Sequence, residues 1–242
     1  MSIYRPFGRF WRRVYRLANP EGKAAGPQPP APAVFLIQHR NLSGPIHAVA
    51  HLPVEGHIWV LKVFLDRREC FDQYYRYTYT ERFGWPKPAA FLMAGLLSFV
   101  IPPFVRSFSP IHVYRGHADI RDTMARSLSA LLAGENIIIC PDTDYSNASP
   151  EMGEVYMGFL KLEQDYYAQT GRHLTFVPTY CSTLQSRLAL GQPVYFQDGE
   201  PFRPGRKRVA QELRNRVNQL GRECGDIPKP DNGPAPSPET MA

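Results

Sequence analysis

The stretch IIICPDTDYSN (residues 137–147) places a short apolar run directly before a proline and two aspartates, Asp142 and Asp144. An apolar run of this length that ends at a turn signal predicts a buried β-strand. The two acids then lie where a core strand reaches the surface. Ligands bind at the carboxyl ends of the strands in open α/β sheets, so the stretch predicts a candidate site as well as a strand.

Apolar runs and amphipathic segments alternate along the rest of the chain. We predict further strands at 34–38, 57–65, 111–114, 174–180 and 187–190, and helices at 43–52, 119–133, 154–170 and 206–220. This alternation predicts an α/β fold whose mixed, largely parallel sheet is flanked by helices. The apolar stretch at 88–105 is interrupted by Pro102 and Pro103, which favours a buried core helix over a membrane span. The alternative is a second surface that enters a bilayer.

Residues 1–18 predict an N-terminal amphipathic helix. Its apolar face carries Phe7, Phe10, Trp11, Val14 and Leu17, and its polar face carries Arg5, Arg9, Arg12, Arg13 and Arg16. Such a helix is typical of segments that lie in a membrane interface, although docking on the protein's own core is the alternative. We expect a Pro-rich linker at 19–33, the folded domain at 34–220 and a disordered tail at 221–242.

Charge and cysteine content indicate an intracellular protein with an anionic partner. The formal net charge is +6 and the sequence pI is about 9.2, which suits phosphate groups on a lipid or a small substrate. The four cysteines are far apart, form no CxxC pair and come without a secretory signal, so we expect reduced thiols. Together with the basic helix, this predicts peripheral attachment to the cytoplasmic face of the cell membrane.

Three positions carry candidate chemistry. His39 and Arg40 follow the strand at 34–38, and a histidine there suits a general base because it titrates near neutral pH. Arg115 follows the strand at 111–114, and its guanidinium suits a phosphate. Asp142 and Asp144 form a D-x-D pattern, which leaves three roles open: metal ligands, an aspartyl nucleophile, or one side of an acyl-transfer site. Each side chain also has an ordinary structural alternative.

The order of these motifs resembles that of the lysophospholipid (glycerolphosphate) acyltransferase family over residues 34–220. The resemblance implies that His39 is the catalytic base and that Arg115 binds the acceptor phosphate. It aligns CPDTDYS with the family's F-P-E-G-T-R-S motif, so that Asp142 replaces the glutamate and Thr143 lies beside it in the substrate-binding corner. Val177 and Pro178 match a fourth motif. Lys62, a looser match, and Arg40 are further candidates for the acceptor phosphate.

One departure from the family pattern concerns the base itself. The aspartate of the family's H-x4-D motif, which orients the histidine, falls at Gly44 in this chain. We therefore expect a carboxylate from the PDTD stretch to orient His39, with Asp144 as the first choice. The alternative is that Asp144 only caps a turn.

The resemblance implies an acyltransferase that moves a fatty acyl group from an acyl thioester to a lysophospholipid or glycerolphosphate-type acceptor. It implies no cofactor and no metal, with acyl-coenzyme A or an acyl carrier protein as co-substrate. The expected partners are a membrane surface with anionic lipids and the lysolipid acceptor, and no nucleic acid. Two alternatives remain: a catalytically inactive lipid-binding protein of the same fold, and a metal-dependent phosphatase or sugar transferase that uses the D-x-D at 142–144.

Overall fold

The computed structural model describes residues 5–19, 24–40, 43–114, 120–144 and 148–228 and centres on a six-stranded sheet. The strands are β1 (Ala33–Ile37), β2 (Gly56–Leu61), β3 (Ile111–Val113), β4 (Asn136–Ile139), β5 (Thr175–Ser182) and β6 (Arg187–Leu190). They lie in the order β3-β2-β4-β1-β5-β6, and every neighbouring pair is parallel except β5 and β6. The predicted α/β fold with a mixed, largely parallel sheet is confirmed.

Helices cover both faces of this sheet. They are α1 (Arg5–Ala18), α2 (Ser43–His51), α3 (Arg67–Asp72), α4 (Lys87–Arg106), α5 (Ile120–Leu132), α6 (Lys161–Thr170) and α7 (Phe202–Glu223). Side chains alternate across a strand, so β1 directs Val34 and Leu36 into the core under α5, α6 and α7. Its Phe35 and Ile37 enter the second core, under α1 and α2.

The two central strands have the character that their sequences predict. Every residue of β1 and of β4 is buried, as expected for strands that are covered on both faces. In the parallel register, Leu36 of β1 lies beside Ile139 of β4. The next residues along both strands therefore leave the sheet at the same edge, and this edge carries the candidate site.

A helical insertion between β2 and β3 extends well beyond the single helix that the apolar stretch at 88–105 predicts. It contains a 3₁₀ turn at Lys62–Phe64, then α3, a π-helix at Gln73–Arg82, and α4. In the π-helix, the hydroxyls of Thr78 and Thr80 donate to carbonyls five residues earlier, which supports the wide helical turn. Helix α4 is long and apolar enough to cross a membrane, and only 22% of its most apolar window is buried. The expectation of a buried core helix at 88–105 is therefore wrong.

Both predicted flanking segments contribute to the folded domain. The linker pairs with the edge strand, because Ala25 donates to Leu188 O at 2.8 Å and accepts from Leu190 N at 2.7 Å. At the other end, α7 continues to Glu223, and Ile227 is buried in the core, so the domain extends past the predicted boundary at residue 220. The remainder of the predicted tail, 229–242, lies outside the described residues, as do 1–4 and 20–23.

Candidate active site

His39 and Asp142 meet at the carboxyl edge of the two central strands. His39 follows β1 by two residues, and Asp142 follows β4 by three. Because these strands are parallel neighbours, their ends bring the two residues together. The backbone N–H of His39 donates to the Asp142 carboxylate, with 2.8 Å between N and Oδ2. The predicted base and the first acid of the PDTD stretch thus share one corner of the sheet.

Asp142 occupies an environment that favours its protonated form. The pKa of this carboxyl is raised to about 6: burial is the main cause and the nearby Asp144 contributes, while the hydrogen bond from His39 N–H opposes the rise. A carboxyl that titrates close to neutral pH can both accept and return a proton, and such groups are concentrated at functional sites. The chemistry of this corner therefore includes Asp142 itself as well as the histidine.

The loop that follows β4 is folded back on itself beside this pair. Asp142 forms an isolated antiparallel bridge with Val155, and the backbone N–H of Thr143 donates to Glu154 O at 3.2 Å. The Thr143 hydroxyl also faces Glu154 O, at 3.1 Å. Asp144 is exposed and lies close enough to Asp142 to influence its pKa. A contact between Asp144 and the His39 ring stays a prediction.

The structure leaves no room for a side chain at Gly44, the position that the sequence resemblance aligns with the H-x4-D aspartate. Gly44 lies in the first turn of α2, which packs directly on the end of β1. A Cβ atom at Gly44 would lie 1.9 Å from the backbone oxygen of Gln38 and 3.2 Å from Ile37 Cγ2. No side chain fits there without movement of the backbone. The close approach of α2 thus excludes a carboxylate at this position.

Arg40 is held by the far end of the chain rather than directed at an open acceptor site. Its backbone is in the left-handed region, with φ of 41°, which non-glycine residues rarely adopt. Its Nη1 lies 3.2 Å from Asp226 Oδ1, 3.4 Å from the Tyr180 hydroxyl and 3.4 Å from Cys181 O. The contacts with Asp226 fix the peptide that follows His39. They argue against the expected role of Arg40 in binding the acceptor phosphate.

Asp226 is the site component that sequence reasoning missed. Its carboxylate also accepts from the Ser182 hydroxyl and from the backbone and hydroxyl of Thr183. These hydrogen bonds lower the pKa of Asp226 against the opposing effect of burial. The only sequence signal was the pair of apolar residues, Cys224 and Ile227, on either side of it in the segment assigned to a tail.

Lys62 follows β2 at the same edge of the sheet, where β4 separates β2 from β1. Strands two positions apart are roughly 10 Å apart, so Lys62 belongs to the rim of the corner rather than its centre. Its Nζ lies 5.5 Å from the Tyr114 ring centroid and 3.9 Å from Glu69 Oε1. Arg115, the next residue after Tyr114, lies outside the described residues.

The described residues offer no ready-made metal centre, because no group of three or more of their His, Cys, Asp or Glu side chains is placed to hold a metal ion. The sequence matches no model of a known protein family and no characterised protein.

Proposed function

We propose that the protein is an acyltransferase that moves a fatty acyl group from an acyl thioester to the hydroxyl of a lysophospholipid or glycerolphosphate-type acceptor. The observation that carries the proposal is the pairing of His39 with Asp142 at the carboxyl edge of adjacent central strands. That edge is where α/β sheets bind substrates. Lys62 supplies a cation at the rim for the acceptor phosphate, and Arg115 keeps the phosphate-binding role that the sequence resemblance implies.

In the proposed reaction, the His39 ring removes the proton of the acceptor hydroxyl as the oxygen attacks the thioester carbonyl. The tetrahedral intermediate collapses when the carbon–sulfur bond breaks, and the proton passes from His39 to the leaving thiolate. The products are the ester and a free thiol, so no covalent acyl-enzyme is required. General base catalysis of this kind contributes about 10²–10⁴-fold to the rate.

Two carboxylates position the base in this proposal. Asp142 binds the backbone N–H of His39, and Asp226 binds the guanidinium of the next residue, Arg40. The peptide that carries the base is therefore held on both sides without an H-x4-D aspartate. Whether Asp144 also binds the ring is a separate prediction, tested by Asp144→Asn, which is expected to lower kcat by a large factor.

The test is incubation of the purified full chain with acyl-coenzyme A and a panel of lysolipids, followed by mass spectrometry of the lipids. We expect one acceptor class to gain one acyl chain, and His39→Ala to abolish the product. His57→Ala is the control, because His57 lies in β2 at the opposite edge of the sheet and is expected to retain turnover. Unchanged turnover in His39→Ala would refute the assignment of the base.

One observation favours the second candidate, a lipid-binding protein without catalysis. The space for the H-x4-D carboxylate is filled by the backbone of Gln38, so this chain cannot regain that group by a simple substitution at Gly44. The same incubation separates the two candidates. Binding of a lysolipid without consumption of any thioester, from either coenzyme A or a carrier protein, would support the binding protein.

A further inference from the structure

Helix α4 exposes a continuous apolar face. Its outward side chains, each more than half exposed, are Phe91, Leu92, Leu96, Phe99 and Val100, and Leu92 reaches 76%. Its buried residues recur every four positions, as Ala90, Ala94, Ser98 and Pro102. Small residues therefore dock the helix on the protein, while large apolar residues point away from it. A face of this size on a soluble monomer indicates an interaction surface.

The charges around this face identify the chemistry of its partner. Helix α4 carries Lys87 at its first position and Arg106 at its last, and it has no acidic residue. The guanidinium of Arg67 covers the outward Phe99 ring, with 3.2 Å from Cζ to the ring centroid. Exposed Phe83 and Trp85 precede the helix. An apolar face with a basic rim and aromatic residues at one end matches the interface of a bilayer that contains anionic lipid.

Helix α1 packs against the C-terminal end of α4 and adds exposed apolar side chains beside it. Gly8 packs against Ser107 at the end of α4, and the Trp11 ring lies 4.9 Å from the Phe104 ring. These contacts join α1 to α4, and they leave Phe7 and Phe10 exposed. Arg9, Arg13 and Arg16 of α1 are all exposed, but Arg16 also donates to the carbonyls of Ala50 and Leu52, which leaves Arg9 and Arg13 as the arginines to test.

We propose that the outward face of α4, together with the exposed apolar residues of α1, inserts into the interface of an anionic bilayer with α4 parallel to the membrane plane. Helix α4 is long enough to span, but its small-residue stripe is occupied by contacts with the protein. The helix therefore lies parallel to the membrane surface. The helical insertion that contains α4 is the main membrane contact, and α1 adds a second contact beside it. This inference concerns attachment alone and does not depend on the acyl-transfer proposal.

The test uses the full chain and cosedimentation with phosphatidylcholine vesicles, prepared with and without phosphatidylglycerol. Leu92→Glu and Leu96→Glu each place a charge on the outward face and are expected to weaken partitioning at least about tenfold, because they remove an apolar anchor and add a desolvation cost. Leu132→Glu is the matched control: Leu132 ends α5, is also exposed and belongs to neither α4 nor α1, so its replacement is expected to leave partitioning unchanged.

The electrostatic part is tested separately. Arg9→Gln combined with Arg13→Gln is expected to reduce binding to vesicles that contain phosphatidylglycerol and to leave binding to pure phosphatidylcholine unchanged. Rising salt is expected to abolish this difference between the unmodified chain and the double variant on vesicles that contain phosphatidylglycerol. Equal vesicle binding by Leu92→Glu and the unmodified chain would overturn the proposal. The proposal would also be overturned if the chain bound no vesicles and instead formed a dimer that Leu92→Glu abolishes, because the face would then bind a second copy. Vesicle binding without acyl transfer leaves this inference intact and refutes only the proposed acyltransferase activity.

Discussion

The replacement of Gly44 by alanine is expected to damage both stability and the site, because it adds one methyl group where a backbone atom already lies. The new Cβ would be 1.9 Å from Gln38 O, whereas real Cβ atoms are essentially never found within 3.0 Å of such a neighbour. A displacement of about 1.1 Å is needed to relieve the contact. Neither partner can rotate away, since one is a backbone oxygen and the other is fixed by the first turn of α2.

Overpacking of this kind costs about 3 kcal/mol when the neighbour is backbone, at the upper end of the usual range. For a domain of this size, the loss corresponds to a fall in Tm of about 6–12 °C. The measurement is thermal and urea unfolding of the full chain. Gly95→Ala is the matched control, because Gly95 also lies in a helix but a Cβ atom there would have no neighbour within 4 Å. It is expected to stabilise the chain by up to about 1 kcal/mol.

Wild-type stability in Gly44→Ala would refute the reasoning, because it would mean that α2 is free to move away from β1. The same result would reopen the possibility of an aspartate at this position. If the clash is real, adding Gly44→Asp to a variant that lacks the carboxylates beside His39 cannot restore turnover. A gain of turnover on that addition would contradict the packing described for α2.

Three further predictions concern ionisable groups. Asp142→Asn is expected to stabilise the chain at pH 8 but not below pH 4. Burial raises the folded-state pKa of Asp142 from 3.8 to about 6, so the free-energy cost of ionising it builds up between these two values. A pH-independent stability difference in urea unfolding would contradict this. Asp226→Asn is expected to lower the free energy of unfolding by about 3 kcal/mol at pH 7, since it leaves the Arg40 guanidinium without its carboxylate. The difference should shrink at low pH as wild-type Asp226 protonates. A double variant with Arg40→Met should recover part of the lost stability. Burial beneath α1 lowers the His51 pKa to about 4, so stability should be lost as the pH falls from about 6.5 towards 4, and His51→Asn should flatten that slope in acid titrations followed by circular dichroism.

Local sequence patterns were sufficient to predict the sheet and one side of the candidate site. The isoleucine run of β4 and the apolar run of β1 predicted two buried strands, and parallel pairing then brought His39 to Asp142. The strand ends alone did not reveal which acid lies against His39. That choice depends on how the loop after β4 turns, where Asp142 bridges to Val155 and Asp144 is left exposed.

Other features depend on contacts that no local pattern encodes. The tyrosine-rich π-helix lacks the 3.6-residue periodicity by which helices are recognised, so Gln73–Arg82 gave no signal. The outward face of α4 was misjudged because apolar content does not distinguish a buried helix from one with an exposed apolar face. The exclusion of a side chain at Gly44 depends on the distance between α2 and β1, which follows from tertiary packing.

The ion pair between Arg40 and Asp226 also sets the order in which the site is completed during synthesis. The two residues are 186 positions apart, and the second lies beyond the last helix. At about 5–20 residues per second, the arginine is made roughly 10–40 seconds before its carboxylate partner. Until then, the strained peptide after His39 lacks the contact that holds it. The parallel strands β1 to β5 have all been synthesised by Ser182, whereas the contact that holds the peptide after His39 can form only when translation has passed Asp226.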